Sequence, residues 1–187
     1  MRFNFLLATL LIFLSCQSKI GKENLSVYFD LPSLIKDQIK QFDDLKPEVQ
    51  KTVDLDGQVE SSLLKFDSAG WSGELEIFLE ARINKPAFVG AFEEERQDGH
   101  VVFTRNDGKD DGVRTFEVHF FADSDDPRVI NITSVSSNSL YTSKRELKLE
   151  FEKTEGMFRL LGYSIKGTQT ILNQDPTEYS VVGKLLY

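Results

Sequence analysis

Two histidines and a glutamate form the most suggestive chemical group in the sequence. His100 and His119 are the only histidines, and both fall in segments that alternate apolar and polar residues. If the strands flanking residues 107–112 pair symmetrically, His100 lies opposite His119, with Glu117 diagonally on the same face. Two imidazoles and a carboxylate can hold Zn²⁺ and leave one position open. The sequence thus offers a hypothetical metal site, although histidine in a strand is usually only tolerated.

The aromatic residues suggest a different kind of site. The chain has 15 phenylalanines and one tryptophan. A curved sheet with helices on its concave side can enclose an apolar ligand, and five aromatic residues could line that space: Trp71, Phe78, Phe88, Phe116 and Phe120. The alternative is that they fill the core, because that is where phenylalanine is usually buried. No catalytic residues and no cofactor are predicted, since no Gly-x-Ser-x-Gly elbow is present.

The amino terminus predicts export and lipid anchoring. Arg2 precedes an apolar run that ends at Leu14 and is too short to span a bilayer. A positive end, a short apolar segment and a small residue before the cut are typical of a secretory signal. Ser15-Cys16 then resembles a lipobox, which predicts acyl chains such as palmitate on Cys16. We therefore expect a signal peptide (1–15), a lipidated Cys16 with a tether (16–24) and one domain (25–187).

The single cysteine has two consequences and one alternative interpretation. With Cys16 acylated, no disulfide can form, and two or three acyl chains give stable membrane anchoring. If cleavage occurs elsewhere, the protein is secreted with a free thiol.

The charge balance excludes one class of partner. The formal net charge is −8, whereas nucleic acids are bound through basic patches. The same charge disfavours adhesion to anionic lipid. Membrane attachment is therefore expected through the lipid on Cys16 alone.

The first part of the domain predicts two helices and a hairpin. An apolar stripe over Asp30–Leu45 predicts a helix capped by Asp30 and ended by Pro47. Residues 48–64 predict a hairpin whose favoured turn opposes Val53 to Val59. A two-residue Asp56-Gly57 turn would instead oppose Val53 to Glu60. Residues 68–83 predict a second helix, weakened by glycines in its first turns.

From Phe88 onward the apolar residues follow a period of two, which indicates strands. The predicted segments lie near 88–96, 100–106, 113–121, 128–137, 145–153, 157–166 and 178–187. Short connections favour antiparallel pairing. The expected fold class is α+β, with two helices packed on a large, curved or partly closed antiparallel sheet of about nine strands.

Several short motifs carry a family resemblance. Glu74-Leu75-Glu76-Ile77-Phe78-Leu79 is followed by Ile83-Asn84-Lys85-Pro86-Ala87, then by Asn138-Ser139-Leu140-Tyr141 and Tyr163-Ser164-Ile165-Lys166-Gly167. In this order they resemble an uncharacterised lipoprotein family of the Bacteroidota over most of residues 25–187. The resemblance implies an envelope address and a fold, but no activity. Because Gln17-Ser18-Lys19-Ile20 follows the cysteine in place of an acidic stretch, it implies the periplasmic face of the outer membrane.

The functional expectation is a lipid-anchored envelope protein that binds an apolar ligand without catalysis. The alternative is a structural or interaction subunit that docks to an envelope protein through an edge strand or acidic loops. A metal-dependent hydrolase, which rests on the two histidines, is a remote third.

Overall fold

A computed structural model describes residues 28–154 and 156–187. These residues form three α-helices and a nine-stranded antiparallel sheet, which confirms the predicted α+β class. The helices are α1 (Leu31–Leu45), α2 (Ser68–Glu74) and α3 (Glu76–Glu80), and Pro86–Phe88 forms a 3₁₀ turn. The strands are β1 (Glu48–Leu55), β2 (Gln58–Lys65), β3 (Phe92–Gln97), β4 (His100–Arg105), β5 (Gly112–Phe120), β6 (Pro127–Ser137), β7 (Tyr141–Thr154), β8 (Met157–Ile171) and β9 (Thr177–Leu186). The predicted signal peptide, Cys16 and the tether lie outside the described residues.

The sheet is an open meander in which one pair of neighbouring strands is far apart in the chain. Its strand order is β2-β1-β9-β8-β7-β6-β5-β4-β3, so β1 pairs with the last strand of the chain. Glu48 lies opposite Leu186 in that pairing. The edges are β2 and β3, and they do not pair with each other.

Helix α1 begins and ends where the sequence predicts. The Asp30 carboxylate caps it by accepting a hydrogen bond from the Ser33 amide at 3.2 Å, and proline stands in the first turn. Lys46 takes a left-handed conformation at the end (φ 46°), and Pro47 cannot continue the helix. The buried face of the helix is formed by Leu31, Ile35, Gln38 and Phe42.

The second helix was predicted too long. Instead of one helix over residues 68–83, α2 ends at Glu74 and α3 ends at Glu80. Leu75 separates them with a ψ of 4°, just after Gly73, whose backbone freedom weakens a helix. After α3 the chain is tied down at Asn84. Its side-chain oxygen accepts from the Tyr28 amide at 2.8 Å, and its amide nitrogen donates to the Tyr28 carbonyl at 2.7 Å.

The predicted register of the β1–β2 hairpin was wrong. Val53 lies opposite Glu60, and Leu55 opposite Gln58, around a two-residue turn. Asp56 (φ 50°) and Gly57 (φ 84°) both have positive φ, as a type I′ turn requires. The favoured register relied on burying a Val53–Val59 pair, yet Val59 is 61% exposed. With no burial to reward that pairing, the geometry of the turn sets the register.

The later strands agree with the predicted segments apart from their ends. Strand β3 starts at Phe92 instead of residue 88, because the 3₁₀ turn and Gly90 (φ 74°) precede it. Strand β7 starts at Tyr141 and β8 extends to Ile171. These extensions carry polar residues on both faces, so alternation does not reveal them.

The two faces of the sheet differ in chemistry. We call the face that packs against the helices the inner face and the opposite one the outer face. Ring contacts tie helix to strand on the inner face, with Phe78 and Tyr163 6.2 Å apart. The apolar part of the inner face contains Val49, Val101, Phe103, Phe116, Val118, Ile130, Ile132, Leu147, Leu149, Tyr163, Ile165 and Leu185. The outer face carries mainly charged and hydroxyl side chains.

Two glycine–tyrosine pairs shape the inner face near the C-terminal strands. Tyr163 lies opposite Gly183, and Tyr179 opposite Gly167. A Cβ on Gly183 would lie 2.1 Å from the Tyr163 ring, and one on Gly167 would lie 2.4 Å from the Tyr179 ring. Each tyrosine therefore covers the glycine of the neighbouring strand, as aromatic residues do where a sheet bends.

Candidate ligand site on the inner face

The two histidines pair as the sequence predicts, but on the outer face. His100 lies directly opposite His119, with ring centroids 5.4 Å apart and an interplanar angle of 18°. His119 Nε2 lies 3.0 Å from the Glu117 carboxylate, which also accepts from the Asn131 side chain at 3.2 Å. Among the described residues, no three His, Cys, Asp or Glu side chains converge as metal ligands. Stacked rings do not point their nitrogens at one ion, so the zinc hypothesis stays a prediction that requires rearrangement.

The five predicted ligand-lining aromatic residues lie in different places. Trp71, Phe78 and Phe116 are at most 1% exposed and belong to the packed core. Phe120 is half-buried and borders an open depression beside the loop at residues 121–125. Of the five, Phe88 is the one that lines a pocket on the inner face. The core itself is filled, and a ligand space must be sought beside it.

A pocket of about 150 Å³ lies between the inner face, α3 and the 3₁₀ turn. Its apolar wall comes from Ile77, Ala81, Phe88, Val113 and Leu147. Ser134, Ser136 and Arg145 contribute the polar part, and Glu80, Lys85 and Asp111 also line it. The pocket is therefore amphipathic, with apolar side chains from both the helical layer and the sheet, and with Ser134, Ser136 and Arg145 as polar groups on the sheet.

Arg145 is the unusual residue of this pocket. It is half-buried, and its Nε is fully buried without a hydrogen-bond acceptor among the described residues. Two other half-buried or buried arginines have carboxylate partners, Arg105 with Asp107 at 2.8 Å and Arg159 with Glu152 at 2.6 Å. Buried donors are nearly always satisfied in native proteins. The unpaired donor of Arg145 is therefore an exception that requires an explanation.

Ser143 provides a second unpaired group on the same strand and face. It is 2% exposed, and its Oγ is buried with no partner among the described residues. It lies opposite Ser136, which lines the pocket. Residues two apart in a strand are about 7 Å apart on one face. Ser143 and Arg145 thus place two free donors close together at the edge of the apolar core.

Lys85 and Phe88, which line the pocket, are held by contacts within the protein. Lys85 Nζ donates to the Glu80 carbonyl at 3.1 Å and lies 5.4 Å from the Phe88 ring centroid. Burial, followed by the nearby Arg82 charge, lowers the pKa of Lys85. The Arg105 guanidinium carbon lies 5.0 Å from the centroid of the same ring. Phe88 is thus contacted by two cations.

Arg105 is itself anchored. Its hydrogen bond to Asp107 is the main reason that the pKa of Asp107 falls to about 2. Its Nη1 donates to the Asp111 carbonyl at 2.6 Å. The β4–β5 loop therefore holds the guanidinium against Phe88 of the 3₁₀ turn.

A second polar cluster on the inner face is fully paired. Lys51 lies 2.7 Å from the Glu74 carboxylate, which also accepts from the Tyr163 hydroxyl. Burial, followed by this hydrogen bond, raises the pKa of Tyr163 well above its usual range. Because every member has a partner, this cluster serves to attach α2 to the sheet.

The sequence alone missed Ser143 and Arg145. Ser143 falls before the predicted strand, and Arg145 is its first residue, so neither stood out. A usable signal was present in the alternation. Ser134 and Ser136 continue the face of Ile132, while Ser143 and Arg145 continue the face of Leu147, so an apolar face turns polar at one level on two strands.

Comparisons with known proteins leave the site to be interpreted from its chemistry. No family model, no curated protein and no solved structure matches the chain. The resemblance to Bacteroidota lipoproteins thus stays a prediction. Within the described residues, none of the helices has the length and apolarity needed to cross a membrane.

Proposed function

We propose that the protein is a non-catalytic binding module of the bacterial cell envelope, tethered by lipid on Cys16, whose ligand has a small apolar body. The observation that supports this function is the amphipathic pocket between α3, the 3₁₀ turn and the inner face. Ligand sites are typically concave and mostly apolar, with a few placed polar groups. The pocket combines an apolar wall with polar groups in this way, although its share of polar residues is larger.

The size of the pocket limits the ligand. Its volume of about 150 Å³ is below the range of about 300–1,000 Å³ typical for drug-sized ligands. One water takes about 30 Å³ of liquid, so the space suits about five waters or one short alkyl chain.

The lining favours binding over catalysis. A nucleophile needs a base within hydrogen-bond reach. The Ser136 hydroxyl instead pairs with the Tyr141 hydroxyl at 3.4 Å, and Lys85 is bound to a backbone carbonyl. The remaining polar groups of the pocket are positioned to orient a ligand.

A titration with 1-hexanol tests the proposal on the purified full-length chain. Methyl signals of Ile77 and Leu147 should shift in a saturable way, while those of Ile130, which is 0% exposed in the core, should not. Ala81→Leu fills the pocket and should abolish the shifts. Ala87→Leu adds the same side chain at an exposed position of the 3₁₀ turn and should leave them intact. Equal shifts at all three residues, or none, would contradict the proposal.

A second candidate function is docking to an envelope protein, and the exposed edge of β2 favours it. Seven of its eight residues are exposed, including Val59 (61%) and Leu63 (58%). With a two-residue turn, alternate residues of β2 point their amide groups away from β1. The other edge, β3, is shorter and carries three consecutive glutamates, which discourages pairing. The edge of β2 fits an extended strand of a partner protein with apolar side chains at alternate positions.

Site-specific photo-cross-linking in intact cells tests this docking. A cross-linking amino acid at Val59 or Leu63 should give one discrete adduct. The control is Val182, which is 43% exposed but lies on β9 inside the sheet. The same adducts from Val182 would show random collision, and an adduct of twice the protein mass would identify the partner as a second copy.

A further inference from the structure

We infer that the ligand of the inner-face pocket carries a carboxylate, which Arg145 binds with Ser143 beside it. The inference rests on the proposed function and names the polar end of its ligand. The proposed ligand is a short amphiphile with an anionic end, such as an alkyl carboxylate. The apolar wall would hold the chain, and the donors on β7 would hold the acid.

The first step of the argument concerns donors. Arg145 Nε and Ser143 Oγ are both buried and both lack partners among the described residues. A guanidinium only donates hydrogen bonds, so its missing partner must be an acceptor. Leaving such groups unpaired in a buried site is costly. A ligand with two acceptor oxygens would provide a hydrogen-bond partner for both Arg145 Nε and Ser143 Oγ.

The second step concerns charge. No carboxylate of the described residues lies within ion-pair distance of Arg145. Of the two acids that line the pocket, Glu80 is exposed to solvent. Asp111 accepts from the Ser137 amide at 3.1 Å. Lys85 adds a second cation to the lining. Arg145 therefore has no ion-pair partner among the described residues.

The third step concerns shape. Guanidinium binds carboxylate through two parallel hydrogen bonds, and this geometry is favoured over a single point charge. Arg145 lies between Ser134 on β6 and Gly167 on β8. Gly167 has no side chain to hydrogen-bond the guanidinium, and the Tyr179 ring covers it. On the β8 side, Gly167 thus offers the guanidinium no side-chain acceptor that would compete with an incoming carboxylate.

A comparison of hexanoate with 1-hexanol tests the inference on the full-length chain. The two share the same alkyl body and differ at the polar end. Calorimetric titration at pH 7 should give hexanoate at least tenfold tighter binding. Equal affinities would overturn the carboxylate while leaving the binding module intact. Binding of neither would overturn both proposals.

Variants identify the residue responsible. Arg145→Gln should remove the preference for hexanoate without affecting 1-hexanol. The control, Lys144→Gln, removes the same charge from the adjacent, exposed position and should keep the preference. If Arg145→Gln fails to fold, the wild-type protein still provides the test. Its Arg145 Nε–H signal should move with hexanoate and stay unmoved with 1-hexanol, and an unmoved signal with both would overturn the inference.

Discussion

At the scale of single residues, Ser143 links the proposed ligand site to the stability of the protein. Its hydroxyl is buried and has no partner among the described residues, so it costs free energy in the unliganded protein. Because functional sites often retain such costs, its removal should separate stability from binding.

The substitution Ser143→Ala tests that separation. We expect the free energy of unfolding to rise by about 1 kcal/mol, since an unpaired buried hydroxyl is replaced by a methyl group. Hexanoate affinity should fall severalfold in the same variant. Urea unfolding and calorimetry measure the two effects. The paired control is Thr115→Ala, which breaks the hydrogen bond between Thr115 and Thr133 (2.6 Å) and should lower stability. A loss of stability in Ser143→Ala would mean that the hydroxyl has a partner in solution.

Tyr163 gives a prediction about pH. Burial and the hydrogen bond to Glu74 raise its pKa above the unfolded value of about 10. The folded state therefore keeps its proton when the unfolded state loses it. This contribution to stability is complete below pH 10 and is lost as the pH rises above 10, by at most about 1.4 kcal/mol per pH unit.

Urea unfolding between pH 8 and 11.5 measures this loss against Tyr163→Phe. The variant should be less stable at pH 8, and its stability should fall less steeply above pH 10. Tyr187, whose pKa burial also raises, and the lysines titrate in both proteins and cancel in the difference. If the stability of the two proteins fell in parallel with rising pH, the loss could not be assigned to Tyr163.

At the scale of elements, replacing glycine by alanine should have opposite effects on stability on the inner face and in α2. A Cβ on Gly183 would meet the Tyr163 ring, whereas one on Gly73 would meet nothing within 4 Å. Gly183→Ala should therefore destabilise the protein by about 1–3 kcal/mol through overpacking. Gly73→Ala should stabilise it by about 0.5–1 kcal/mol through helix propensity. Thermal unfolding of both variants provides the measurement, and shifts of equal sign would refute the covering role of Tyr163.

The elements also show where sequence patterns suffice. Helix α1 was predictable because its cap, its apolar stripe and its terminal proline agree. The symmetric pairing of the strands that flank residues 107–112 likewise predicted that His100 lies opposite His119. The β1–β2 register was not predictable from apolar pairing, because β2 is exposed and burial does not select a register there. The break at Leu75 was not predictable either, since Trp71, Leu75 and Phe78 all reach the core across it.

The candidate site was less predictable than the fold. Aromatic residues indicated an apolar interior, but Trp71, Phe78 and Phe116 each pack against other core rings. The pocket depends on where the helical layer ends over the sheet, which no local pattern reports. Arg145 and Ser143 become notable only when their lack of partners is known, and that requires the positions of every neighbouring side chain.

At the scale of the whole molecule, the predicted lipid on Cys16 determines where the domain works. Cys16→Ser should move the protein from the membrane fraction to the soluble fraction, because two or more acyl chains are needed for stable anchoring. Fractionation and mass spectrometry of the N-terminal peptide give the readout. Lys19→Ser in the predicted tether is the control and should stay with the membrane. An unmodified cysteine in membrane-bound protein would contradict the lipoprotein assignment.

The pairing of β1 with β9 sets the order of folding events. The hairpin formed by β1 and β2 appears early in the chain, yet its neighbour in the sheet is the last strand, with Glu48 opposite Leu186. Closing so long a loop costs entropy and slows folding. A chain emerging from its amino terminus therefore cannot complete the sheet until its final residues are free. If the predicted signal peptide directs the chain across a membrane unfolded, this delay would keep it competent for translocation until the transfer is finished.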